Sequence, residues 1–175
     1  EGDWALLEAM ADIALQAGIC ILKHYEKPDT AQKDDGSPVT QADVEAEALI
    51  EKALAALLPG VPIAAEEACS AGRLPQVDGA FLLVDPLDGT KDFIARNGQF
   101  TVNIALVEAR EPVLGVIFAP ALGKIWLGAN KAVAAGVLAG AKLTQPRHRR
   151  DIKARQQPSE GLVAMASRSH MNAET

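Results

Sequence analysis

The chain is poor in cysteine, in aromatic side chains and in long apolar runs, and each shortage narrows its class. Cys20 and Cys69 are the only cysteines in 175 residues. Two thiols build no disulfide framework, and Cys20 falls within a helical pattern. Both point to reduced thiols and a cytoplasmic location, with at most a loose membrane association. Aromatics make up 4% of the chain, against 49% hydrophobic and 23% charged residues, which is ordinary globular composition. The length allows one domain with a sizeable core. No apolar run approaches the roughly 18 residues that span a bilayer, and no signal peptide is visible. Internal repeats and low-complexity tracts are missing too. Lys and Arg number 17 against 23 Asp and Glu, giving a net charge of −6. That balance argues against a polymeric nucleic-acid partner, which would need a basic face. It leaves room for a small phosphorylated substrate, because a bound Mg²⁺ would reverse the local sign. The first residue is Glu1 rather than methionine, so a trimmed start is expected.

What is present sorts into two helices followed by strands. Asp3 is expected to cap an amphipathic helix reaching about Glu26, with Trp4, Leu7, Ala11, Leu15, Gly18, Leu22 and Tyr25 on one face and Pro28 ending it. Residues 33–38 are rich in turn formers and read as a loop. Thr40 opens a second helix through Leu58, buried along Leu49, Ala53 and Leu57 and stopped by Pro59-Gly60. From Val61 the period changes, and short apolar runs at 61–65, 80–84, 101–107, 113–119 and 125–127 read as strands. A short helix is expected from Lys91 to Arg96, a loose hairpin over 132–141 and a last strand over 161–166. The basic residues 147–155 read as a solvated loop, and His24 and His148 as solvent-facing. Helices packed on a mostly antiparallel sheet make this an α+β layer structure.

The most informative stretch is Asp85-Pro86-Leu87-Asp88-Gly89-Thr90. Pro86 and Gly89 are expected to break the strand before it, and Thr90 to cap the helix after it. Asp85 and Asp88 then emerge at a strand's carboxyl end beside the N–H groups of a helix start. Carboxylates bind hard cations such as Mg²⁺, and helix N-termini bind phosphate. The plainer alternative is an Asp-Gly turn between strands. Glu66 and Glu67 follow their own strand in the same way. If the two strands are neighbours, Glu66, Asp85 and Asp88 converge, and would repel unless a cation sits among them. Taken alone, Glu66-Glu67 also fits a solvated strand end. Asp43, the third helical position after Thr40, has two readings: it closes a capping box, or it orients a hydroxyl or water as part of a general base.

Together these elements resemble a known family. Lys33, residues 37–43 (Ser-Pro-Val-Thr-Gln-Ala-Asp), Glu66-Glu67 and residues 85–90 match, in order and spacing, the lithium-sensitive, Mg²⁺-dependent phosphomonoesterases of the inositol monophosphatase superfamily. Lys91-Asp92-Phe93-Ile94, residues 96–106 and Ser167-Arg168-Ser169-His170 look like its bacterial 3′(2′),5′-bisphosphate nucleotidase branch, which serves sulfur metabolism. The resemblance implies a layered α/β/α sugar-phosphatase-like fold. It implies a phosphatase that removes the 3′-phosphate of adenosine 3′,5′-bisphosphate, or of its sulfated form, yielding AMP and phosphate. Glu66, Asp85 and the Leu87 carbonyl would hold one Mg²⁺, and Asp85 with Asp88 would reach a second, for two or three ions per site. Asp43, Thr90 and Glu66 would be catalytic. Glu66, Leu87, Asp88, Gly89, Thr90 and His170 would contact the substrate, the Gly89 and Thr90 amides holding phosphate. A homodimer is a further expectation. The family's second domain carries a Trp-Asp pair, whereas Trp4 and Trp126 precede Ala5 and Leu127. The expectation is therefore a metal- and phosphate-binding domain over 1–145, then over 146–175 the start of a largely missing C-terminal α/β domain. Inositol monophosphatase activity and an inactive metal-binding fragment are the alternatives.

Overall fold

A computed structural model describes residues 2–33, 36–141, 143 and 147–163. Helix α1 (Gly2–His24) carries Asp3 in its first turn and Lys23 and His24 in its last, each complementing the helix dipole. Leu7, Met10, Ala11, Ala14, Leu15, Ala17 and Ile21 are fully buried along it. This face is broader than the expected stripe, and Trp4, Leu22 and Tyr25 lie only at its margin. Over Asp3–His24 the helix is long and apolar enough to cross a membrane, with a mean hydropathy of 1.7, contrary to the expectation that no such run exists. Here that apolar surface forms core.

Strands β1 (Thr30–Gln32) and β2 (Pro38–Thr40) pair antiparallel into a small ribbon flanking the expected loop. Three residues are too few to show an alternating pattern, so sequence periodicity could not reveal them. Helix α2 (Gln41–Leu57) follows directly. Its buried residues are Ala42, Asp43, Ala46, Glu47, Ile50 and Leu54, one position off the expected Leu49–Ala53–Leu57 stripe. The shift arises because two acids occupy the inner face, where apolar periodicity gives no sign of them.

The main sheet has seven strands in sequence order, β3 (Ile63–Ala65), β4 (Phe81–Asp88), β5 (Thr101–Glu108), β6 (Glu111–Ala119), β7 (Lys124–Gly128), β8 (Ala132–Gly136) and β9 (Arg147–Ile152). Every pair is antiparallel except β3 and β4, which run parallel. Short helices α3 (Glu66–Ser70) and α4 (Thr90–Ile94) follow β3 and β4, α4 beginning and ending slightly earlier than expected. The chain is thus α+β, with α1 and α2 packed together against a mostly antiparallel sheet. Leu82, Val84, Val102, Ile104, Leu114, Val116 and Phe118 face the helices and share one core with them. On the opposite sheet face Leu83 and Ile117 are about half exposed, at 51% and 47%.

Two further expectations are corrected. Residues 132–136 form the regular strand β8, Val133 and Ala135 turning inward, instead of a loose hairpin. The basic stretch from Arg147 is largely strand rather than loop: β9 pairs with β8 and is the outermost strand among the described residues, with His148, Arg149 and Arg150 exposed. Charge on an outermost strand is how sheets discourage edge-to-edge pairing, which is why a strand could read as a solvated loop. β9 lies past residue 145 and pairs within this sheet. Of the expected strand over 161–166, residues 161–163 form none, and 164–166 lie outside the described residues.

Candidate active site

The parallel pairing of β3 with β4 sets Ala65 opposite Val84, so Glu66, the first residue past β3, lies in step with Asp85 of β4. This meets the condition on which their convergence depended. Between Asp85 and Asp88, however, β4 does not break at Pro86. It continues to Asp88, with Asp85 opposite Asn103 and Asp88 opposite Thr101. Three steps along β4 match two along β5, which marks a bulge. Pro86 is tolerated there because a bulge spares the missing N–H. The bulge has a chemical consequence. Residues three apart normally face opposite sides of a strand, but one extra residue returns Asp88 to the side of Asp85.

Gly89 then turns the chain at φ 94°, and Thr90 is the first residue of α4 rather than its cap. A Cβ at Gly89 would stand 2.9 Å from the Gln99 carbonyl oxygen, so both backbone angle and space demand glycine.

Asp43 is fully buried, and its two oxygens do different things. Oδ2 accepts the Thr40 N–H at 2.7 Å and the Thr40 hydroxyl at 2.6 Å; the first of these, with the Asp43 N–H donating back to the Thr40 side chain, makes the capping box. Oδ1 accepts the Thr90 hydroxyl at 3.2 Å. That same hydroxyl lies 3.2 Å from the Leu87 carbonyl, and its one hydrogen can serve only one acceptor at a time. The capping and orienting readings of Asp43 are therefore compatible. Burial pushes the Asp43 carboxyl up, against the hydrogen bonds from Thr40 and Thr90.

The three other carboxylates strain against one another. Burial, then the charges of Glu66 and Asp88, push Asp85 up to about 8. The Leu87 N–H, donating to Asp85 Oδ1 at 3.2 Å, pulls the other way but loses. Lys33 Nζ reaches Glu66 Oε1 and Glu67 Oε1, both at 2.8 Å. The contact with Glu66 is a hydrogen bond, whereas Glu67 Oε1 has the ion pair without hydrogen-bond alignment. Burial would lower the Lys33 pKa, but its two carboxylate partners prevail and hold the ammonium charged.

Among the described residues, no group of three His, Cys, Asp or Glu side chains stands close enough as placed to enclose a metal. The expected trio therefore lies close together without closing on a common point, and Lys33 holds one oxygen of Glu66. The donor set still suits a hard cation. It comprises carboxylates close enough to repel one another, plus a buried Asn103 Oδ1 that, among the described residues, lacks a hydrogen-bond partner while its Nδ2 donates to Asp88 at 3.2 Å.

Sequence reading missed two residues here. Asn103 gave no signal within an apolar strand. Glu47 did give one: it lies one turn after Asp43 on the alanine-rich face of α2. His24, expected to face solvent, is half-buried and sits 3.1 Å from Glu45. His170 lies outside the described residues.

Comparison with known proteins places the chain in a family. The chain is 46% identical over 128 residues to the 3′(2′),5′-bisphosphate nucleotidase CysQ of Salmonella typhimurium, covering 71% of this chain and 52% of that protein. It is 38% identical over 172 residues to the Shigella flexneri protein of the same name, covering 97% and 66%. The chain thus spans from about half to just under two thirds of these relatives. Among solved structures, CysQ from Bacteroides thetaiotaomicron superimposes with a TM-score of 0.65 at 31% identity, over 96% of this chain and 64% of that one. The sequence pattern of the inositol monophosphatase family matches residues 5–175, and the chain belongs to that family.

Proposed function

We propose that this chain carries the metal- and phosphate-binding half of a Mg²⁺-dependent phosphomonoesterase acting on 3′(2′),5′-bisphosphate nucleotides. Its preferred reaction would be hydrolysis of the 3′-phosphate of adenosine 3′,5′-bisphosphate to AMP and phosphate. The main support is the convergence of Glu66, Asp85 and Asp88 beside the buried Asp43–Thr90 pair. Glu66, Asp85, the Leu87 carbonyl and Asp88 would hold the Mg²⁺ ions, which neutralise phosphate charge and make water more acidic. The protein's own residues supply proton handling and position. With its hydrogen turned to Asp43, the Thr90 hydroxyl presents a lone pair able to take a proton from an attacking water. As it does so, the hydroxyl's own hydrogen passes along its hydrogen bond to Asp43 Oδ1, so that the carboxylate is the final acceptor. As water oxygen bonds to phosphorus, the ester P–O bond breaks and the leaving ribose oxygen takes up a proton. Phosphate esters hydrolyse so slowly unaided that charge neutralisation and positioning must supply most of the acceleration.

Phosphate release from adenosine 3′,5′-bisphosphate and from inositol 1-phosphate, measured with Mg²⁺ and the full-length protein, tests this. A preference for the nucleotide is expected. A preference for the inositol ester would replace the nucleotidase reading with an inositol monophosphatase, and no release from either would refute both.

A further inference from the structure

We infer that Glu47 is a positioning residue that fixes Glu66 by holding the turn from β3 into α3. Glu47 is only 4% exposed, yet it is ionisable and sits in the core face of α2. Its Oε2 accepts the Glu67 N–H at 2.7 Å and its Oε1 the Ala68 N–H at 2.8 Å. Both carboxylate oxygens are thereby committed to the two amides that follow Glu66. The held segment has little rigidity of its own, since β3 and α3 span only Ile63–Ala65 and Glu66–Ser70. A buried bidentate carboxylate from a packed helix supplies what so short a segment cannot.

The placement has a further meaning, because Glu47 stands one helical turn beyond Asp43. Asp43 grips Thr90 on the β4–α4 arm, and Glu47 grips the amides on the β3–α3 arm. One rigid helix thus sets the spacing between the two arms that carry the site's acids. Lys33 holds Glu66 and Glu67 through their side chains instead. Charge alone does not explain the position of Glu47, since the repulsion from Glu51 outweighs the attraction of Arg73. Its geometry toward the amides does.

The part of this inference that concerns metal affinity rests on Glu66 binding Mg²⁺; the part that concerns the turn does not. Two measurements on the chain carrying Glu47→Gln or Glu47→Asp separate them. Amide exchange without metal should quicken roughly tenfold at Glu67 and Ala68 in Glu47→Gln, the scale of one lost hydrogen bond, while Ile50, Val84 and Ile104 keep their rates. Calorimetric titration with Mg²⁺ should show an affinity lower by about 10–100-fold, the usual cost of removing a residue that orients a ligand, with Glu47→Asp less affected. Unchanged Mg²⁺ affinity with a lowered melting temperature would reduce Glu47 to a plain cap and overturn the inference, as would exchange that quickens throughout the chain. Should the unaltered protein bind no Mg²⁺, the metal reading fails. Local quickening at 67–68 would then still uphold the role of Glu47 at the turn, and its absence would refute it.

Discussion

At the scale of single residues, the site is governed by how each carboxylate divides its oxygens between structure and chemistry. Asp43 gives Oδ2 to the start of α2 and Oδ1 to Thr90. Asp43→Asn keeps the shape, but its amide group can accept through only one atom. The cap loss should cost about 1 kcal/mol in denaturant unfolding. Turnover in the full-length enzyme should fall by roughly a hundredfold or more, the scale of losing a positioned base. A kcat within about threefold of the unaltered enzyme would leave Asp43 as a cap alone. Asp85 carries a prediction about pH. Its folded pKa, about 8, lies above the ordinary 3.8, so between those values the folded chain binds more protons than the unfolded one. Its stabilising contribution is present at low pH and is lost as pH rises through 8. Burial raises Asp43, Glu47 and Glu67 in the same direction. The metal-free chain should therefore melt at a higher temperature at pH 5 than at pH 8, and Mg²⁺ should narrow the gap. A melting temperature that climbs from pH 5 to pH 8 would contradict the convergence of the three acids. These acids were legible in the sequence because strand, Pro, Gly and Thr framed them. Asn103 was not, and of Glu47 only its helix face was, because their roles come from neighbours distant in sequence.

At the scale of elements, the decisive contacts are where helix meets sheet. Gly18 lies on α1 against β6, and a Cβ there would run into the ring of Phe118 and approach Pro120 Cγ to 3.3 Å. Phe118 is fully buried and has no room to swing aside. Gly18→Ala gains about 1 kcal/mol in helix propensity but overpacks the core, which costs about 1–3 kcal/mol. The clash should win, lowering stability by about 1 kcal/mol in urea unfolding. A gain would mean that α1 sits farther from the sheet than described. Gly18 was placed on the buried side of α1, and five of the strand positions were found, because long periodic segments report their extent, though the exact stripe of each helix was not found. The bulge in β4 was hidden: Pro86 reads as a strand breaker unless one knows that the partner strand skips a residue there. The β1–β2 ribbon escaped notice by brevity, and β9 by its charge.

At the scale of the whole molecule, the layering could be foreseen and the strand partners could not. Helices first and strands after implied helices on an antiparallel sheet, and sequence-order pairing follows from short connections. The one exception is the parallel step from β3 to β4, which obliges the chain to cross from one end of the sheet to the other between Ala65 and Phe81. The later part of that crossing, residues 71–80, is almost wholly exposed, with Leu74 at 74%. Glu66 and Asp85 are thus held together by strand pairing and by α2, with the covalent path between them looping through solvent. The path should be dispensable once folding is complete. Limited proteolysis within 71–80 should yield two pieces that stay associated on a sizing column under native conditions and separate in denaturant. Dissociation without denaturant would show that the crossing itself holds β3 in place. If the nicked pair survives, the two acid-bearing segments are in effect separable parts of a split protein. Two polypeptides made apart, one ending and the other starting inside 71–80, would then rebuild the site when mixed.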